Sequence, residues 1–290
     1  MKVLVTGKNG QLGSEIRSIT NEFEHFDFTF ANSKELDISS KSNVDDFFNK
    51  NNFDAVINCA AYTAVDLAES EQEKANDVNH LGVKHLVDVC EKYNCKLIHI
   101  STDYVFDGTN NIPYKESDAV CPVGVYGNTK QLGEQVILNS SIKAIIIRTS
   151  WVYSTFGNNF VKTMIRLGSE RDELGVIVDQ VGSPTNAKDL ARVCLIALSN
   201  IEKWKNNPEI YHYSNEGVVS WYDFATAIME IAKLNCHVKP IETSEYPTNA
   251  LRPQYSILNK KKIVSKFNIK VPHWKISLSN TLNKLISNSE

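Results

Sequence analysis

Short apolar runs alternate with longer amphipathic segments through the first half of the chain. The runs are rich in Val, Ile and Phe without polar alternation, which is typical of parallel strands buried on both faces. The segment 71–92 between two of them carries apolar residues at helical spacing. This alternation predicts an α/β fold with a doubly wound, Rossmann-like parallel sheet. The predicted strands are Lys2–Thr6, Phe26–Ala31, Ala55–Ala60, Lys96–Ser101 and Lys143–Thr149.

The alternation becomes less regular after Thr149, and residues 240–290 hold four prolines and little strand pattern. We predict a dinucleotide-binding domain over 1–150 and a smaller, mainly substrate-binding C-terminal domain over 151–290. The two domains are expected to interleave, because segments of the chain between about residues 170 and 235 would rejoin the sheet of the first domain. The elements predicted there are helices over 159–167, 187–198 and 220–233, and short strands over 176–178 and 210–213.

Composition and charge narrow the classes of protein that the chain can represent. Its 290 residues are 42% hydrophobic and 22% charged, which suits a globular protein with a large core. The net charge of −3 lacks the basic surplus of nucleic-acid binders, so no nucleic-acid partner is predicted. We also predict no membrane span and no secretory signal. Six scattered cysteines without a CxxC pair fit reduced thiols, and therefore a cytoplasmic location.

The first strand leads into a glycine loop, Gly7-Lys8-Asn9-Gly10-Gln11-Leu12-Gly13. The spacing is GxxGxxG rather than GxGxxG, and such glycines also occur in ordinary β–α turns. Glycines let the backbone approach a pyrophosphate, and the following helix N-terminus supplies free N–H groups and a positive dipole end. We therefore predict that Gly7, Gly10, Gln11, Leu12 and Gly13 bind a dinucleotide.

The end of the second strand bears on the choice of cofactor. An NAD-specific site usually has Asp or Glu there to hold the ribose 2′-hydroxyl, but this chain reads Phe30-Ala31-Asn32-Ser33-Lys34. Ser33 and Lys34 could instead accept a 2′-phosphate, although Lys34 also fits a solvated loop. Asp37 and Ile38 follow and could flank the adenine. The pattern favours NADPH and leaves NADH open.

Tyr126 and Lys130 are four residues apart and share one face of a predicted helix. A nearby ammonium is expected to lower the pKa of the tyrosine, and the pair could then exchange a proton with a carbonyl or alcohol oxygen. The fourth strand ends in Ser101-Thr102-Asp103-Tyr104, at the edge of the sheet that faces the ligand crevice. The Thr102 hydroxyl could hydrogen-bond the reacting oxygen.

With these motifs the chain resembles the extended short-chain dehydrogenase/reductases, and within them the dTDP-4-dehydrorhamnose reductase family. The resemblance covers essentially the whole chain, including Arg252-Pro253 near its end. Its motifs are TGKNGQLG (6–13), NCAAYTAVDLAE (58–69), STDYVFDG (101–108), VYGNTKQLGE (125–134), RTSWVYSTFGNNFVKTM (148–164) and DQVGSPT (179–185).

The resemblance implies hydride transfer from NAD(P)H to C4 of dTDP-4-dehydro-6-deoxy-L-mannose, giving dTDP-L-rhamnose in the last step of its biosynthesis. Thr102 and Tyr126 would contact the keto oxygen, Tyr126 would protonate it, and Lys130 would tune Tyr126 and hold the nicotinamide ribose. The resemblance adds Ala61, Tyr62 and Thr63 to the cofactor site, and the substrate-side residues Asp103, Tyr104, Trp151 and Arg252, with Arg252 pairing with the diphosphate.

The chain departs from the family at two points. Phe30 stands where some members have Asp, which leans toward NADPH. Members can also form a homodimer around a divalent cation, and Glu15 and Asp189 fall at two of the cation's positions. The third position carries Lys284, which disfavours a cation, so no metal site is predicted.

Two other functions share these features. A non-catalytic regulatory subunit on the same fold, such as the methionine adenosyltransferase subunit, would not need Thr102, Tyr126 and Lys130. Another nucleotide-sugar epimerase or epimerase/reductase would need an additional acid/base pair, and no Cys/His pair stands out for that work.

Overall fold

A six-stranded, fully parallel sheet forms the centre of the computed structural model, which describes residues 1–287. The strands lie in the order β2-β1-β3-β4-β5-β10, with helices on both faces. The strands of the whole chain are β1 (Lys2–Thr6), β2 (Asp27–Ala31), β3 (Ala55–Asn58), β4 (Lys96–Thr102), β5 (Ala144–Thr149), β6 (Val152–Tyr153), β7 (Glu173–Ile177), β8 (Val181–Gly182), β9 (Thr185–Asn186), β10 (Glu209–His212), β11 (Val219–Ser220) and β12 (His237–Ile241).

Eleven α-helices in the described residues flank this sheet or form the C-terminal part. They are α1 (Gln11–Ser18), α2 (Lys41–Lys50), α3 (Val65–Ala68), α4 (Gln72–Asn76), α5 (Gly82–Tyr93), α6 (Val125–Leu138), α7 (Phe160–Glu170), α8 (Ala187–Ser199), α9 (Trp221–Ala232), α10 (Lys261–Phe267) and α11 (Trp274–Ser287). None of these helices is long and apolar enough to cross a bilayer.

The sheet is buried on both faces, as the continuous apolar runs predict. Alternate residues of β1 point to opposite sides, so Val3 and Val5 join one hydrophobic cluster and Leu4 joins the other. A third cluster, with Phe224 and Leu278 among its fully buried members, forms the core of the C-terminal part. The predicted α/β class with a Rossmann-like parallel sheet is thus confirmed. The strand order reverses between β1 and β3, which is the crevice where open α/β sheets bind ligands.

The strand over 210–213 is found as β10, which pairs with β5 at the edge of the main sheet. Two features differ from the sequence-based expectations. The helix predicted over 71–92 is divided by a π-helical turn, Asp77–Leu81, between α4 and α5. The proline-containing last 50 residues form helices α10 and α11, whose buried residues Ile263 and Leu278 pack into separate clusters.

A buried ion pair joins helix α6 to the sheet. The guanidinium of Arg148 in β5 donates from Nε and Nη2 to the two carboxylate oxygens of Glu134, at 2.9 and 2.6 Å, and both side chains are almost inaccessible to solvent. Such a pair is costly to break because the remaining charge stays buried. It fixes the helix that carries Tyr126 and Lys130 against the strand beside β4.

We expect Glu134→Ala to destabilise the fold by about 3–5 kcal/mol, because it leaves the buried Arg148 guanidinium without its counter-ion. This corresponds to a Tm lower by about 10 °C in thermal unfolding. The matched control is Glu170→Ala, which removes the exposed partner of Arg166 and should leave Tm nearly unchanged because solvent screens that pair. Equal shifts for the two variants would contradict a structural role for the buried pair.

Candidate active site

The carboxyl ends of β1, β3, β4 and β5 surround a cavity of about 530 Å³. A large part of the predicted site lies there together, although the residues come from segments far apart in the sequence. The predicted residues that line it are Gly10, Gln11, Leu12, Ala61, Thr63, Thr102, Asp103, Tyr104, Tyr126, Lys130 and Trp151.

The glycine loop has the geometry that a pyrophosphate cradle needs. Gly7 has a φ of 66°, and a Cβ on it would lie 2.9 Å from the backbone of Cys59 and Ala60. Helix α1 begins at Gln11 after Gly10, and no side chain in the described residues caps its N-terminus. Its first N–H groups therefore remain available to an anion. These residues fit a dinucleotide.

The loop after β3, which holds Ala61, Tyr62 and Thr63, is fixed by a residue of the π turn. Asn79 accepts from the Tyr62 backbone N–H at 2.9 Å and donates to its carbonyl at 3.0 Å. The Asn79 amide also donates to the Thr129 hydroxyl of α6 at 3.2 Å. The helix irregularity thus ties the loop to the helix that carries Tyr126.

Tyr126 and Lys130 extend from α6 toward β4, and burial shifts the pKa of each side chain. Burial raises the pKa of Tyr126 to about 12, although the adjacent Thr102 hydroxyl partly offsets this effect. The net shift of the Tyr126 pKa is therefore upward, and the prediction of a lowered tyrosine pKa is wrong because burial dominates. Burial also lowers the pKa of Lys130 to about 8, despite the attraction of Glu134. Lys130 Nζ donates to the Ile100 carbonyl at 2.7 Å.

The end of β4 places a carboxyl group beside this pair. Thr102 Oγ1 donates to Oδ1 of Asp103 at 3.0 Å, while Asp103 Oδ2 is buried without a hydrogen-bond partner among the described residues. Burial raises the pKa of Asp103 to about 7. Tyr104 stands edge-on to the Tyr126 ring, with centroids 5.4 Å apart. The unpaired oxygen of Asp103 is suited to accept a hydrogen bond from a polar ligand.

Trp151 forms the opposite wall in an uncommon backbone conformation. Its φ is 49°, in the left-handed region, and its ring stacks on Trp221 of α9 with centroids 3.5 Å apart and planes 7° from parallel. Trp221 lines a second cavity of about 600 Å³, together with Arg252 and Gln180. The stacked pair therefore separates the two cavities.

Some predicted residues lie outside the main cavity. Tyr62 donates its hydroxyl to Glu71 at 2.8 Å, and Ile38 is buried in a core cluster. Asp37 and Lys34 are exposed near the end of β2. Arg252 lines the second cavity and pairs with Asp66 at 2.6 Å. Gly7 and Gly13 shape the loop turn, and Gly13 lies so close to Gly7 O that a Cβ would clash.

The structure adds residues that the sequence did not single out. At the end of β2, the Arg17 guanidinium lies 4.9 Å from the centre of the Phe30 ring. Lys8 pairs there with Glu35 at 2.6 Å, and this contact lowers the pKa of the Glu35 carboxyl. Trp221 was also missed. For Lys8 and Arg17, the sequence signal that could have found them is their position as basic residues inside and just after the glycine loop.

Glu15 and Asp189 line a separate cavity with Lys188, Arg192 and Lys284. Glu15 already accepts from Ser154, and Asp189 accepts from Asn215 and Ser277. The described part of the chain contains no group of three or more His, Cys, Asp or Glu side chains arranged for a metal. With both carboxylates engaged and three cations beside them, the residues do not fit a divalent cation.

The sheet, the glycine loop and the Tyr126–Lys130 pair define an extended short-chain dehydrogenase/reductase. Residues 1–287 match the family described as RmlD substrate binding domain, and the chain belongs to that family. It is 41% identical to the dTDP-4-dehydrorhamnose reductase of Aggregatibacter actinomycetemcomitans over 286 residues, with 96% of this chain and 97% of the relative covered.

Solved structures of relatives agree over nearly the full length. A dTDP-4-dehydrorhamnose reductase from Clostridium acetobutylicum is 39% identical with a TM-score of 0.93, covering 99% of this chain and 100% of that one. The enzyme of that name from Bacillus anthracis, solved in complex with NADP, is 37% identical with a TM-score of 0.91, covering 98% and 99%.

We expect Gly182→Ala to displace Trp151, because a Cβ there would lie 2.6 Å from the indole Cε2. Near-UV circular dichroism should lose the signal of the stacked Trp151–Trp221 pair. Gly175→Ala is the matched control, since its Cβ would meet only Ile241 side-chain atoms, at 3.3 Å or beyond. An unchanged spectrum in Gly182→Ala would show that the stack does not depend on this glycine.

Proposed function

We propose that this protein reduces dTDP-4-dehydro-6-deoxy-L-mannose to dTDP-L-rhamnose with NADPH, the last step of dTDP-rhamnose biosynthesis. The observation that carries the proposal is the meeting of Thr102, Tyr126 and Lys130 in one cavity with the glycine loop. The names of the relatives supply the sugar nucleotide. An epimerase has no comparable support, since the structures of UDP-sugar epimerases share the fold at only 16% and 18% identity.

In this proposal, residues 1–150 with β10 hold the cofactor, and the remaining C-terminal residues hold most of the sugar nucleotide. The N-terminus of α1 and Gly10 would bind the pyrophosphate. Ala61 and Thr63 would line the part of the cavity between the pyrophosphate and the nicotinamide. Bound NADPH supplies the hydride that reaches C4. Lys130 orients the nicotinamide ribose through its remaining N–H donor.

Thr102 and Tyr126 would hydrogen-bond the C4 keto oxygen. Because burial raises the pKa of Tyr126 to about 12, its phenol is protonated near neutral pH and can donate its proton to the oxygen that becomes the hydroxyl. The Lys130 ammonium then stabilises the phenolate left behind. Each reduction thus adds one hydride at C4 and one proton at the oxygen.

On the sugar side, Asp103 Oδ2 would accept from a sugar hydroxyl, and Tyr104 and Trp151 would pack against the ring and its methyl group. Arg252 lies at the second cavity, which is lined largely by apolar side chains that suit a nucleobase and deoxyribose. When the substrate binds, the Arg252 guanidinium would leave its ion pair with Asp66 and pair with the diphosphate instead. The parallel N–H donors of a guanidinium match the spacing of phosphate oxygens.

Replacing Tyr126 by Phe should remove the proton donor and leave the packing intact. We expect kcat for the dTDP-sugar to fall by about 10²–10⁴. The affinity for NADPH, measured by calorimetry, should change little. Consumption of NADPH at the wild-type rate would contradict the assigned role of Tyr126.

We expect NADPH to be used at least as well as NADH, because cationic Arg17 and Lys34 lie at the end of β2 where Phe30 replaces a carboxylate. Removing one exposed cation by Arg17→Ala or Lys34→Ala should lower the NADPH:NADH ratio of kcat/KM about fivefold. Arg166→Ala, an exposed change on α7, is the control. A wild-type preference for NADH, or an unchanged ratio in both variants, would refute this account.

A further inference from the structure

A row of buried polar side chains runs beneath the active site from β1 to Lys130. The strand register aligns Thr6 with Asn58 and Asn58 with His99. Thr6 Oγ1 donates to Asn58 Oδ1 at 2.6 Å, and the Asn58 amide nitrogen lies 3.0 Å from His99 Nδ1. His99 Nε2 then lies 3.2 Å from Lys130 Nζ. All four residues are at most 2% exposed.

The donors and acceptors of this row depend on the charge of Lys130. Asn58 Oδ1 also accepts from the Ala60 backbone N–H at 3.2 Å, which turns its NH₂ group toward His99. His99 Nδ1 must then accept, so the single N–H of a neutral imidazole lies on Nε2. That N–H points at Lys130 Nζ, and only a neutral amine has a lone pair to receive it.

A second arrangement suits the ammonium form. An ammonium needs Nε2 as an acceptor, which moves the ring proton to Nδ1 and requires the Asn58 amide to turn over so that its oxygen accepts from Nδ1. The Ala60 N–H keeps a partner after this turn, because Thr6 Oγ1 also lies 3.2 Å away. The turn also reverses the bond to Thr6, whose Oγ1 accepts from the turned amide and whose own hydroxyl proton loses its acceptor. The row can therefore match either charge state of Lys130, and the amine arrangement satisfies one more donor.

We propose that His99 is a positioning residue that holds Lys130 beneath Tyr126 in both charge states, by carrying its proton on Nε2 against the amine and on Nδ1 against the ammonium. The ammonium state contains one more proton than the amine state. Lys130 Nζ, which lines the cavity, takes up this additional proton, while the single ring proton of His99 moves from Nε2 to Nδ1 and the Asn58 amide turns. What Lys130 then does for Tyr126 rests on the proposed reductase function.

The charged groups around His99 and Lys130 are consistent with a change in the charge of Lys130 near neutral pH. Burial and the neighbouring Lys130 hold the pKa of His99 well below its usual range, so the ring is neutral in both states. The charged group facing Lys130 from its own helix is Glu134, which Arg148 of β5 neutralises. Tyr126 and Asp103 lie on the cavity side. With the pKa of Lys130 at about 8, the ammonium is lost as pH rises through that value.

Nitrogen-15 NMR of the full-length protein labelled at histidine tests the inference without any substrate. His99 should carry its proton on Nδ1 at pH 6 and on Nε2 at pH 10, with a midpoint near 8, and the His99→Gln spectrum assigns the signal. Lys130→Met should abolish the change, and Asn58→Asp should hold Nδ1–H throughout. One tautomer at both pH values in the wild type, or a change that persists in Lys130→Met, would overturn the proposal.

Kinetics with the dTDP-sugar separate positioning from packing. His99→Leu should lower kcat about tenfold, because Lys130 loses one hydrogen bond to a charged group, while KM for the sugar changes less than twofold. His99→Gln should recover part of the rate, since its amide can still accept. Ile98→Val is a buried control on the same strand. If His99→Leu matches Ile98→Val in kcat, His99 does not position Lys130. If the wild type reduces no sugar, the reductase proposal fails, and the tautomer measurement still decides the role of His99.

Discussion

The parallel register of β1, β3, β4 and β5 is the constraint on which the rest of the site depends. Each strand is hydrogen-bonded to its neighbours and points the same way, so their polar C-terminal residues meet at one edge. The register sets Thr102 opposite Thr149, and it builds the buried row from Thr6 to His99. A shift by one residue would move every one of these side chains to the other face of the sheet.

Most of the sheet could be predicted because its strands carry their own signal. The continuous Val and Ile runs locate β1, β3, β4 and β5 to within two residues, and the residues at their ends belong to motifs. The predicted division into domains at about residue 150 stays a prediction. Helices α10 and α11 were not predicted, because the prolines beside them hid the helical spacing and their partners lie far away in sequence.

The parts of the site that could not be predicted arise from contacts between distant segments. His99 was visible as a polar residue inside an apolar run, but its relation to Lys130 depends on how α6 lies across β4. The direction of the Tyr126 pKa was wrong because a sequence shows a neighbouring lysine and does not show burial. The stack of Trp151 on Trp221 joins residues 70 positions apart, and the absence of a side chain on Gly182 leaves room for the Trp151 indole.

The number of residues in the π turn over Asp77–Leu81 matters to the site, although the turn contributes no reacting group. The turn holds one more residue than a regular helix would, and this extra residue directs Asn79 at Tyr62 and Thr129. Each residue of an α-helix advances the side chains by about 100°. Loss of one residue here would leave a straighter and more regular helix, with Asn79 rotated away from the loop after β3. A deletion in this segment would therefore disturb the loop after β3 even where Asn79 itself is kept.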